Sequence, residues 1–343
     1  LLALAVGVAF VLPLAAQAAP TVYGRLNLSI DYSDVDTGVA GFDGKVWELN
    51  SNASRVGIKG NEKLTDELTS VYKAEWGVQG DVKAGDLNPR ERYIGLKHYQ
   101  WGTVRLGHID SPFKNAEDSV DAFNDATDLD MANFLTGQTR LENSINYVSP
   151  KFLDVFGANI TLQPGETVTG ANENHIADGI SAAFSYEDDS LYLSFAMDKE
   201  IITTVPNTAV VFLGALAAQD RDAMRFNARY KMNELTLSAM FQQSEATNDK
   251  VTGKLDEQAV VLSASYNIDK ITVRGEVLMN NLDAGSTVGE VDTTVIGVGV
   301  DYNLTQSTKV FGNLAMNKDE PSKVTNFKDV DSTYLGFGME TRF

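Results

Sequence analysis

Apolar and polar residues alternate along most of this chain, one segment after another. In the stretch 221–232, Met224, Phe226, Ala228, Tyr230 and Met232 share a face, and Arg225, Asn227, Arg229 and Lys231 occupy the other. In 234–245, Leu235, Leu237, Ala239 and Phe241 oppose Glu234, Thr236, Ser238 and Gln242. In 270–281, Ile271, Val273, Val277 and Met279 oppose Thr272, Arg274, Glu276 and Asn280. Period two is the strand period, and the absence of proline from these runs agrees with it. The same reading predicts strands at 21–32, 45–60, 66–79, 90–99, 102–109, 139–149, 153–164 and 178–187. Further strands are predicted at 190–199, 221–232, 234–245, 256–268, 270–281, 291–303, 307–317 and 333–343, which makes sixteen.

The connections alternate too. Short ones such as EDDS, MNE, NID and NLTQ are turn-like, while long ones are rich in Asp, Gly, Asn and Thr. Short turns at one end and long loops at the other are the plan of an outer-membrane barrel. A strand of about ten residues, tilted by about 40°, climbs about 25 Å, the height of the apolar band. The last segment fits that plan. Leu335, Phe337, Met339, Thr341 and Phe343 fall on one face, so the segment is expected to close against the first strand and leave no free edge. A soluble sandwich would alternate as well, but it would not want charged inner faces. The fold expected is therefore all-β, a 16-stranded antiparallel transmembrane barrel.

Composition narrows the function. With 47 acidic and 28 basic residues in 343, the net charge of −19 disfavours nucleic acid, whose phosphates require Lys and Arg. There is no cysteine, and His98, His108 and His175 lack metal-site spacing, so neither a metal nor a cofactor is expected. Residues 1–18, an apolar run ending in Ala16-Gln17-Ala18, read as the end of a cleaved secretory signal, with the barrel domain at 19–343. The apolar stretch 201–219 is broken by Pro206 and Asn207, and it reads as a loop and a candidate subunit contact. Three motif-like strings fail. GVAGFDGK has the wrong spacing for a phosphate loop, DYSDVDTG lacks the last acidic ligand of a calcium loop, and GVGVDYN has no helix after it.

Several phrases together resemble the general diffusion porins of Gram-negative outer membranes. They are APTVYGRLNLSIDY, SNASRVGIKGNEKLTDELTSVYKAEWGV, RERYIGLKHYQWGTVRLGHIDSPF, RLENSINYVSP and the terminal YLGFGMETRF, and they cover essentially the whole mature chain. The resemblance implies a homotrimer passing small hydrophilic solutes and ions, with a third loop folded inward to narrow the pore. By order that loop is 110–138, which carries Asp110, Glu117, Asp118, Asp121, Asp125, Asp128 and Asp130 against Lys114 alone. Opposite it the family places a basic wall, matched here by Arg25, Arg55, Arg90, Arg92 and Arg140. Arg25 is assigned to the lumen by patterning as well, because it shares a face with Tyr23, Asn27, Ser29 and Asp31.

The resemblance also makes Phe337, Met339 and Phe343 the signal read by barrel-assembly machinery. Lipid and lipopolysaccharide are the expected surroundings, with divalent ions bridging acidic outer loops to the latter. The chain departs from the family in lacking the PEFGG phrase of the third loop, and in carrying His108 where relatives often have Arg. His108 is accordingly a candidate pH-sensitive lumen group. The balance of charges predicts a modest cation preference. A solute-specific channel, an outer-membrane barrel enzyme and a secreted adhesin are the alternatives. The enzyme would need a nucleophile constellation that three scattered histidines do not provide.

Overall fold

The computed structural model describes residues 19–36, 43–82, 87–118, 120–126, 129–165, 175–214, 218–247, 254–285, 289–322 and 328–343. The predicted signal segment 1–18 and Asp128 lie outside the described residues.

Strands β1 (Thr21–Asp36), β2 (Gly44–Ser51), β3 (Arg55–Lys63), β4 (Leu68–Gly77), β5 (Asn88–His98) and β6 (Gly102–Asp110) open the chain. After a long connection come β7 (Arg140–Val148), β8 (Phe156–Gln163), β9 (Gly179–Glu187) and β10 (Leu191–Thr204). Then follow β11 (Ala218–Met232), β12 (Leu235–Ala246), β13 (Asp256–Ile268) and β14 (Ile271–Asp283). Strands β15 (Glu290–Asn303), β16 (Thr308–Ser322) and β17 (Val330–Arg342) complete it. Neighbours in sequence pair antiparallel, and β17 returns to pair with β1. The barrel is closed.

Seventeen segments make sixteen traverses. Both β2 and β3 pair with β1, at Leu28↔Ser51 and Arg25↔Arg55, so they are two halves of one strand. Between them Ala53 adopts φ 47° and the ladder breaks. The apolar positions change phase across it, from Trp47 and Leu49 to Val56 and Ile58, a shift that a single predicted strand over 45–60 does not contain.

One face of each strand carries the exposed apolar residues: Leu26, Ile30, Leu49, Ile94, Leu106, Phe226, Leu262 and Val298 are all about half exposed. The opposite face holds buried polar side chains, among them Arg25, Asn27, Ser29, Asn146, Arg225, Gln242 and Asn280. This is the inverse of a soluble core and the arrangement that lipid outside and water inside demand. Tyr230, Tyr266 and Tyr302 line the outer face beside the short turns, as an interfacial girdle should. Those turns are tight because Asn233 and Asp269 accept positive φ, at 52° and 51°.

The seam explains the terminal aromatic. Phe343 exchanges two backbone hydrogen bonds with Gly24, at 2.9 and 3.0 Å. Its ring lies over Gly24, where a Cβ would come within 2.6 Å of it, so only glycine admits the ring. Phe337 and Met339 stand on the outer face opposite Ile30 and Leu28.

The stretch 201–219 is divided differently from its sequence reading. Ile201 to Thr204 extend β10, a helix α2 (Asn207–Leu213) follows, and β11 begins at Ala218. Val205, Ala209 and Leu213 are buried against Leu255, Leu282, Ala284 and Val291 of the same chain. Part of its apolar character is thus turned inward, while Ile202 and Val211 stay exposed.

Candidate functional site

The connection 111–139 between β6 and β7 replaces regular secondary structure with side-chain bonds to its own backbone. A short helix α1 (Pro112–Asn115) is capped by Ser111, whose Oγ accepts from Lys114 N at 3.0 Å. Asp121 accepts from Phe123 N (2.7 Å) and Met131 N (3.0 Å). Asp130 accepts from Ala132 N (2.7 Å) and Asp125 N (2.8 Å). Each carboxylate satisfies backbone donors that a buried loop otherwise leaves unpaired. Burial pushes the Asp121 carboxyl well above the ordinary carboxylate range, and Glu276, Asp130 and Glu117 add to the effect. Burial also raises Asp130, and it raises Glu117 against the opposing pull of Arg225.

On one side the connection packs on the wall formed by β10–β16. Val120, Phe123, Leu129, Met131, Phe134 and Leu135 are buried with Met240, Ala259, Val261, Leu278, Val295 and Ala315. Gly297 and Gly299 of β15 make room. A Cβ on Gly297 would lie 2.7 Å from Leu129, and one on Gly299 would lie 2.8 Å from Phe123. Arg225, fully buried, donates to Glu117 at 3.0 Å and to Gln242 at 2.8 Å, and its guanidinium stacks 4.3 Å from the Phe113 ring. Arg274 donates to Ala122 O at 2.6 Å and lies 4.7 Å from the Phe123 ring. Glu276 accepts from Ala122 N (2.8 Å), Glu257 accepts from Thr136 N (3.0 Å), and Arg229 pairs with Asp118.

On the other side the connection faces basic residues. Asp125 receives Arg25 at 2.5 Å and Arg55 at 3.0 Å. The break between β2 and β3 helps to hold Arg25, because the carbonyls of Asn52 and Ala53 accept from it at 3.3 and 3.4 Å. Arg140 Nε stands 2.8 Å from Asp110 Oδ1 without hydrogen-bond alignment, so that contact is coulombic. Arg90 donates to Glu75 at 2.7 Å, and Glu75 also accepts from Tyr23 at 2.8 Å. Between the two sides lies a cavity of about 310 Å³. Arg55, Arg90, Arg140 and Lys114 line it together with Asp110, Glu117, Asp118, Asp125 and Asp130. Asn115, Asn124, Ala132 and Gln138 complete the lining.

Two expected members are elsewhere. Ala74 pairs with Arg92 but Trp76 pairs with Pro89, so Arg90 and Glu91 together oppose Glu75 in a bulge. The extra residue turns both of them to the polar face and leaves Arg92 exposed with Ile94 and Leu96 on the outer one. His108 pairs with Arg92 and shares the outer face with Val104 and Leu106, so it is not a lumen group. Near a strand end the cost of an outward arginine falls to about 0–1 kcal/mol, which permits this placement.

The residues missed in the sequence are those that hold the connection down: Arg225, Arg229, Arg274, Glu257, Glu276, Gly297 and Gly299. Alternation puts the three arginines on the polar face, and Gly297 and Gly299 share one face, but nothing local names their partner.

A profile described as Gram-negative porin matches residues 3–322. The major outer membrane protein P.IB of Neisseria sicca is 25% identical over 271 residues, covering 73% of this chain and 74% of that protein. Its counterpart in Neisseria gonorrhoeae is 26% identical over 195 residues, 54% of this chain and 53% of that one. Among solved structures, an anion-selective porin from Comamonas acidovorans superposes with TM-score 0.75 at 22% identity, covering 95% and 99% of the two chains. Salmonella typhi OmpF, in complex with daunomycin, gives 0.70 at 15% identity over 94% and 97%. A closed sixteen-traverse barrel with an apolar exterior, matched along nearly its whole length, makes this chain a member of the Gram-negative porin family, a non-enzymatic diffusion pore of the bacterial outer membrane.

Proposed function

We propose that the connection 111–139 is an inward-folded constriction loop, and that solutes pass between its carboxylates and the wall carrying Arg25, Arg55, Arg90 and Arg140. The observation that carries this reading is the charged cavity, with cations of the barrel wall on one side and loop carboxylates on the other. Charges of opposite sign across a narrow aqueous gap create a transverse field. The field orients water and dipolar solutes and raises the barrier for apolar ones that cannot recover lost hydration.

The lining is close to balanced: Arg55, Arg90, Arg140 and Lys114 against Asp110, Glu117, Asp118, Asp125 and Asp130. Local geometry therefore selects weakly, and the chain's −19 charge adds a modest cation preference that is strongest at low salt. Two observations favour the opposite sign. Asp125 is shared by two arginines, and the neighbour from Comamonas acidovorans is described as anion-selective. Reversal potential in a KCl gradient decides: a cation-side value supports the first reading, and an anion-side value the second. We further propose a cleaved export signal at 1–18, assembly as a homotrimer, engagement of barrel-assembly machinery by the terminal strand, and lipopolysaccharide around the outer rim.

A further inference from the structure

The charges of this pore are also unequal along its axis. Three cations of the inner wall lie between the constriction and the short-turn end: Lys59 on β3, Lys97 on β5 and Arg105 on β6. Lys59 and Lys97 are exposed and Arg105 is half-buried. Among the described residues none of the three forms an ion pair. Lys59 rests 5.0 Å from the Tyr23 ring, and Arg105 rests 4.9 Å from the Tyr93 ring while donating to Asn146 at 2.9 Å. On β3–β8 no described inward residue below Glu75 and Glu91 is acidic. The inward carboxylates toward this end on β9, β15 and β17 are each held by two cations: Glu187 by Lys151 and Arg229, Asp301 by Arg274 and Lys309, Glu340 by Arg25 and Arg342. Toward the long connections the inner face carries carboxylates instead, Asp31 on β1, Glu48 on β2 and Asp319 on β16, and among the described residues none of these forms an ion pair.

We propose that this axial polarity makes the porin a rectifier, with Lys59, Lys97 and Arg105 as its determining residues. The inference rests on the diffusion-pore reading and goes beyond it. An acidic mouth admits cations and a basic exit admits anions. When the long-connection side is positive, the field drives both carriers inward through the end that favours each, and ions accumulate in the lumen. When the polarity is reversed, both are drawn out and the lumen is depleted.

The test is single-channel recording in symmetric KCl, with a biotinylated tag in the 164–178 connection identifying that side by streptavidin. At about 0.1 M, where charges act over ~10 Å, the current is expected to be about 1.5-fold larger with the long-connection side positive; near 1 M, where the range is ~3 Å, the ratio approaches unity. Lys59→Gln, Lys97→Gln and Arg105→Gln together should bring the low-salt ratio close to unity. Glu48→Gln with Asp319→Asn should lower it from the opposite end. Ohmic wild-type channels at 0.1 M overturn the inference alone, as does a triple variant that rectifies like wild type. Absence of any conducting channel overturns the diffusion-pore reading and this inference with it.

Discussion

The two walls of this barrel are made from the same alternating strands but put to different uses. The wall of β10–β16 is covered: its inward residues meet Phe123, Leu129 and Met131, and Arg225 and Arg274 end on Glu117 and the Ala122 carbonyl of the connection. The wall of β1 and β3–β7 stays open, and Arg25 and Arg55 reach Asp125 of the connection at the edge of a charged cavity. An inward arginine therefore does not by itself define a pore charge. Arg225 is wholly buried and serves to fix a loop, whereas Arg55 is partly exposed and faces water. What separates them is which side of the connection they meet.

The covered wall offers the strongest way to break this division. Arg225→Ala leaves Glu117 buried without its cation, at a cost of about 3–5 kcal/mol. We expect a lower unfolding midpoint by circular dichroism and a noisier single-channel current, with Glu117→Gln in the same chain restoring part of both. Gly297→Leu with Gly299→Leu crowds Phe123 and Leu129, an overpacking worth about 1–3 kcal/mol. The expected result is displacement of the connection and a larger conductance; an unchanged conductance would show that the ring does not sit where these glycines admit it.

Acidity sharpens the same contrast. Asp121 and Asp130 titrate above their unfolded values, so the docked connection holds protons that the undocked one releases. Their contribution to docking is complete below the unfolded carboxylate range and is lost as pH rises through the raised values. Acidification from neutrality should therefore slow proteolysis of the connection, and Asp121→Asn should flatten the dependence.

Smaller effects are expected at the seam and on the outside. Phe343→Ala uncovers Gly24 and the closing hydrogen bonds; because the ring is 63% exposed, the loss is about 1 kcal/mol, visible as a lower dissociation temperature on gels. Arg92→Gln and His108→Gln face outward and should leave conductance, selectivity and pH profile unchanged, with stability within about 0.5 kcal/mol.

Much of the barrel was legible because lipid and water impose opposite demands on alternate residues. Each traverse announces itself locally. Departures from strict alternation were not legible: the break at 52–54 and the bulge opposite Glu75 insert residues without changing composition, and the second moved Arg92 out of the wall. The open wall was readable in part, since Arg25, Arg55, Arg90 and Arg140 line or bound the cavity. The covered wall was not. Its contacts join residues such as Phe113 and Arg225, or Ala122 and Arg274, which are more than a hundred positions apart, and only the closed sheet brings them together.

The central claim is that the pore is narrowed between Asp125 and the arginines it faces. Its most direct test is the reversal potential of Asp125→Asn against wild type in a KCl gradient. Removing the shared carboxylate while Arg25 and Arg55 remain should move the potential toward the anion side, with the channel otherwise intact. An identical reversal potential in the two proteins would contradict the account and place the selecting charges elsewhere.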